Sequence, residues 1–122
     1  MQEKDLALTI AQTLYDRKAQ EILVLSVRHL TVLTDYMVIA NGSTVLQTKA
    51  LKEHVDSALS AQGIEPRRLE GQAEGRWIVM DYGSVIVHIF HPEDRAFYRL
   101  ERLWQDGQNR QPLPFEEDLQ LT

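Results

Sequence analysis

Residues 77–104, WIVMDYGSVIVHIFHPEDRAFYRLERLW, constrain the fold more than any other stretch of the chain. Two runs rich in Val, Ile and aromatic residues flank Gly83-Ser84. Glycine at the first central position suits the mirror-type turn of a two-residue hairpin. Such a turn pairs Tyr82 with Val85, Met80 with Val87 and Ile78 with Ile89. Side chains alternate across a sheet, so one face carries Ile78, Met80, Tyr82, Val85, Val87 and Ile89. That face is apolar and is expected to meet a core. The other carries Trp77, Val79, Asp81, Ile86, His88 and Phe90. A core disfavours unpaired polar groups, whereas a docking surface uses this mixture of rings, acid and imidazole. Trp77, opposite Phe90, is the expected centre of that surface, because tryptophan dominates protein interfaces. A register slip of one residue would exchange the two faces.

The rest of the chain supplies elements to pack against the hairpin. Leu6, Ile10 and Leu14, with Ala7, Ala11 and Tyr15, predict a helix over 5–18. Ile22–Val27 and Tyr36–Ala40 read as strands around a turn-prone segment, and Asn41-Gly42 ends the second. Thr44 followed by Gln47 fits a capping box opening a second helix, which buries Leu51, Val55 and Leu59 and stops at Gly63. Residues 64–70 predict a short strand, placed near a sheet edge by Pro66. Residues 71–75, GQAEG, form a flexible connection to the hairpin. Pro92 starts a last helix running to Trp104, with Glu93 and Asp94 favourable in its first turn. In that helix Phe97, Leu100 and Trp104 lie together, with Ala96 and Leu103 beside them. Arg95, Tyr98, Arg99 and Arg102 share a different face. The order of elements predicts an α/β fold with a mixed sheet of about five strands and helices packed mainly on one face. Few helices are available, so the other sheet face is expected to stay partly open or to be closed by a second subunit. The folded domain is expected over 1–104. Residues 105–122 lack periodicity and are expected to be mobile unless Leu113, Phe115 and Leu119 dock.

At 122 residues the chain is long enough for one core. No apolar run is long enough to span a membrane, and the N-terminus lacks the pattern of a signal peptide. With no cysteine there is no disulfide framework or thiolate chemistry, which is compatible with the cytoplasm. A net charge of −5 argues against specific nucleic-acid binding and favours a protein contact.

Catalytic patterns are weak. Gly42-Ser43 follows a strand and opens a helix, as a phosphate-cradling turn would. Nucleotidyl transfer also needs paired carboxylates for divalent metals. Glu65 and Glu70 point to opposite faces, Asp81 has no acidic partner two residues away, and Glu53 and Asp56 lie on a helix. His88 and His91 lack further zinc ligands and, three apart on a strand, face opposite sides. Both are assigned to docking; the alternative for His88 is a hydrogen-bonded histidine with Asp81, diagonally across the hairpin, as its partner. Ser84 sits in a hairpin turn, not on a nucleophile elbow. His29 and His54 read as surface residues. The expectation is a non-enzyme with no metal and no cofactor. A degenerate nucleotidyltransferase-like enzyme, or a dimeric interaction module with another partner, is the alternative.

Residues 77–104, the upstream TDYMVIANGST at 34–44 and the isolated Gly71 together resemble the ribosomal silencing factor family, RsfS, also called Iojap, over residues 3–104. The resemblance implies a nucleotidyltransferase-like α/β domain. It also implies binding to ribosomal protein fourteen of the large subunit, a block to joining of the small subunit, repression of translation, a part in large-subunit maturation, and homodimers. It favours functional roles for Arg95 and Tyr98, since HPEDRAFYRLERLW matches the family pattern. The chain departs from that pattern at Ser84, where aspartate is common, and at Thr44-Val45-Leu46, where a polar pair containing arginine is common.

Overall fold

The structure is a computed structural model and describes residues 1–116. Helix α1 (Glu3–Asp16) buries Leu6, Ala7, Ile10, Ala11 and Leu14, the stripe read from the sequence. The chain reverses through Lys18, at φ 68, into β1 (Gln20–Ser26). β2 (Tyr36–Asn41) is buried along its whole length. Helix α2 (Val45–Ser60) is capped by Thr44, whose hydroxyl accepts from the Gln47 amide at 3.0 Å. The reciprocal arm is displaced by one residue: Gln47 Oε1 accepts from the amide of Ser43 at 2.6 Å. β3 is shorter than expected, at Arg68–Glu70. The hairpin strands are β4 (Trp77–Asp81) and β5 (Val85–Phe90).

The sheet order is β1-β2-β5-β4-β3. β2 and β5 run parallel and the remaining neighbours antiparallel, so the sheet is mixed, as anticipated. The hairpin register is the expected one, with Trp77 opposite Phe90, Ile78 opposite Ile89 and Met80 opposite Val87. Helices α1 and α2 cover one sheet face. There Ile78, Met80, Tyr82, Val85, Val87 and Ile89 join Val24, Val38 and Ala40 in the main core.

The second face is not left bare. Leu23, Leu25, Val27, Met37, Ile39 and Phe90 form a second cluster closed by Leu100, with Trp77 and Trp104 partly buried against it. Two departures from the sequence reading create this cover. The last helix is broken into α3 (Pro92–Tyr98) and α4 (Glu101–Trp104) by Arg99, which lies in the left-handed region at φ 50. Its inner stripe is broken with it: Leu100 and Trp104 face the sheet, while Phe97 and Leu103 stand in solvent.

The second departure is the segment after Trp104. The Ser26 amide donates to Asn109 at 2.9 Å and the Gln111 amide donates to Val24 at 2.8 Å, so this segment lies along the outer edge of β1. The buried Asn109 side chain donates to the carbonyls of Ser26 and Trp104 at 3.0 and 2.7 Å. Leu113 and Phe115 enter the main core, where Phe115 stacks on Tyr15 at 4.1 Å. The folded unit therefore runs past the expected boundary at 104, held there by two large apolar side chains in the core together with the hydrogen bonds of the strap to β1. Leu119 lies outside the described residues.

Candidate docking interface

The covered and open halves of the second sheet face meet at Trp77. Helices α3 and α4 lie over the β1–β2 side. Val79, Asp81 and Ile86, on the β4–β5 side, remain half-buried. Trp77 sits on this boundary. It stacks on Phe90 at 4.8 Å and meets Tyr98 at 5.0 Å. Its indole N–H donates to His88 Nδ1 at 3.1 Å. Tyr98 is half exposed, and Phe97 packs edge-on against it at 5.0 Å. Phe97 thus extends the aromatic patch outward. The sequence grouped it with Leu100 and Trp104 because that spacing assumed an unbroken helix.

The expected contact residues divide into two sets. Trp77, Val79, Asp81, Ile86 and Tyr98 keep surface available to a partner, and His91 is half-buried. His88, Phe90 and Arg95 are at most 8% exposed and support the face from beneath. This corrects the reading of those three as contacts. Phe90 is roofed by the broken final helix and becomes core. His88 bonds to Trp77 instead of Asp81, whose carboxylate accepts from the Gly83 amide at 2.8 Å and faces Arg67 at 3.4 Å. Burial pushes the His88 imidazole down to about 4 from its ordinary 6.5, so the ring is neutral near neutral pH. Indole nitrogen can only donate, which makes Nδ1 the acceptor and leaves the proton on Nε2.

Arg95 is a structural clasp. It donates to the backbone carbonyl of Glu21 and to Asn41 Oδ1, the latter at 3.1 Å, and faces Glu101 at 3.6 Å. The Glu21 carbonyl is available because β1 is irregular there, with Glu21 at φ 50 and a register shift between Gln20 and Leu23. Arg99 and Arg102 line a cleft of about 580 Å³ together with Arg95, Glu21 and Glu101. His91 caps α3, its Nδ1 accepting from the Glu93 amide at 3.3 Å.

Gly71 underlies the geometry of Trp77. It has φ +78, and a Cβ there would fall 1.9 Å from the Trp77 carbonyl oxygen. A side chain would push the connection off β4, so glycine permits the close crossing. Among the described residues there is no group of three or more His, Cys, Asp or Glu side chains that could hold a metal ion. No helix among them is long and apolar enough to cross a membrane.

The sequence pattern of the family described as ribosomal silencing factor during starvation matches residues 1–121. The chain belongs to the RsfS family. The match includes the strap along β1, beyond the 3–104 span of the motifs. The ribosomal silencing factor RsfS of Halalkalibacterium halodurans is 34% identical over 107 residues, covering 88% of this chain and 92% of that protein. A mouse protein named for mitochondrial assembly of the large ribosomal subunit is 29% identical, covering 78% of this chain and 43% of its own length. A crystal structure of a Chromobacterium violaceum protein superposes with a TM-score of 0.83 at 32% identity, covering 89% of this chain and 92% of that one. RsfS proteins are named for silencing, not for a catalysed reaction.

Proposed function

We propose that this chain silences ribosomes by docking on ribosomal protein fourteen of the large subunit, where its bulk occupies space the small subunit needs. Translation falls because subunits cannot join. The observation that carries this reading is the half-open sheet face, on which Trp77 and Tyr98 present aromatic surface beside Val79, Asp81 and Ile86. Aromatic anchors surrounded by mixed polar and apolar groups are the composition of a protein interface. A steric mechanism needs no nucleophile, metal or cofactor. The net charge of −5 favours a protein contact over wrapping of RNA. The free chain is a homodimer in this reading and acts in the cytoplasm. A part in large-subunit maturation draws support from the name of the mouse relative.

The test is co-sedimentation with isolated large subunits, small subunits and joined ribosomes, alongside Trp77→Ala. Selective binding to large subunits, lost in the variant and accompanied by fewer joined ribosomes, is the expected result. Binding to no particle would overturn the reading.

A further inference from the structure

Stacking alone does not fix the Trp77 ring. Phe90, stacked at 4.8 Å, sets the plane of the indole, and Tyr98 meets it tilted at 5.0 Å, yet a half-turn about χ2 returns the ring to the same plane. The torsion between an sp³ carbon and an aromatic ring is roughly two-fold, so a second flip state with the ring in that plane is open to the side chain. They differ in which edge faces outward. One turns Nε1 toward His88; the other turns the Cε3 edge of the six-membered ring there. The hydrogen bond from Nε1 to His88 Nδ1, at 3.1 Å, exists in the first state alone. His88 is itself held, 7% exposed on β5, and its ring lies 6.4 Å from Phe90 at 18°.

We propose that His88 is a positioning residue for docking: by accepting from the Trp77 indole it selects one flip state, so that a single edge of the aromatic anchor meets the ribosomal partner. The inference rests on the docking reading above. A side chain already fixed in its bound geometry loses less entropy on association. The neutral imidazole keeps Nδ1 an acceptor near neutral pH, in line with the burial described above.

The test compares His88→Asn with His88→Leu. The two are nearly the same shape, and asparagine Oδ1 stands near the place of Nδ1. Binding to purified large subunits and hydrogen exchange of the Trp77 indole N–H by NMR are measured on both and on the wild type. His88→Asn is expected to bind within about twofold of wild type and to keep a slowly exchanging indole proton. His88→Leu should bind about tenfold more weakly, the size of one lost hydrogen bond, with a fast-exchanging proton and an otherwise native spectrum. If His88→Leu keeps its fold and binds as well as His88→Asn, the inference is overturned while the docking reading stands. Fast exchange of the wild-type indole proton overturns it as well. Wild type that binds no ribosomal particle overturns both.

Discussion

Acid should destabilise this protein through His88. Free imidazole has its midpoint near 6.5, and burial pushes that of His88 down to about 4. Between these values the unfolded chain binds a proton that the folded chain refuses, so stability falls as pH drops through that window. Well above 6.5 both states are neutral at this position and the contribution is flat. A gap of that size corresponds to about 3 kcal/mol once pH reaches 4, of which about 2 kcal/mol is already lost at pH 5. Protonation of Nδ1 would also turn the acceptor of the Trp77 indole into a second donor, which acts in the same direction. The assay is urea unfolding at pH 8, 7, 6 and 5 for wild type and His88→Asn. Carboxylates titrate in both proteins, so the difference between the two curves isolates the imidazole. The wild-type curve should drop more steeply than the variant's by about 2 kcal/mol between pH 7 and pH 5. Parallel curves would refute the reasoning, since they would mean that the imidazole accepts its proton in the folded state as readily as in the unfolded one.

Ending the chain after Trp104 removes Leu113 and Phe115 from the core and Asn109 from its bonds to Ser26 and Trp104. A loss of about 3–6 kcal/mol is expected from the two apolar side chains, read as a lower melting temperature, with association through the uncovered β1 edge seen in light scattering. A truncated chain as stable as the full one would show that the strap carries no energy. Gly71→Ala and Gly63→Ala form a matched pair, since both residues have φ +78 but only Gly71 would place a Cβ against backbone, while Gly63 has nothing within 4 Å. Gly63→Ala should cost about 1 kcal/mol and Gly71→Ala at least about 2 kcal/mol, measured by thermal unfolding; equal losses would deny the close crossing at Trp77. Arg95→Ala should cost about 3 kcal/mol in urea unfolding, because it strands Asn41 and Glu101, while the protein that stays folded still binds large subunits. Unchanged stability with lost binding would instead make Arg95 a contact residue.

The hairpin was legible because its determinants are local. Gly83-Ser84 sets the turn, the turn sets the register, and alternation sorts Ile78, Met80 and Tyr82 from Trp77, Val79 and Asp81. The cap at Thr44 and the stripe of α1 were legible for the same reason. What covers the second sheet face was not, because it depends on contacts far apart in the chain. A helix from Pro92 to Trp104 is the natural reading of its spacing. The left-handed turn at Arg99 lets Leu100 and Trp104 reach the sheet and leaves Phe97 outside. Arg95 looked like a surface residue grouped with Tyr98 and Arg99. Its burial depends on Asn41, Glu101 and an irregularity at Glu21 that no local signal marks. Phe90 was assigned to the interface for a related reason: alternation places it on the same face as Trp77 but cannot say where the roof of that face ends.

The stacking of Tyr15 on Phe115 has a consequence for how the protein is made. The first helix leaves the ribosome early, but part of its packing surface is supplied by residues synthesised long after it. Domains fold as units during synthesis only when all their parts have emerged. The main core therefore cannot close, nor the outer strand lose its bare edge, until the strap that carries Leu113 and Phe115 is free to pack.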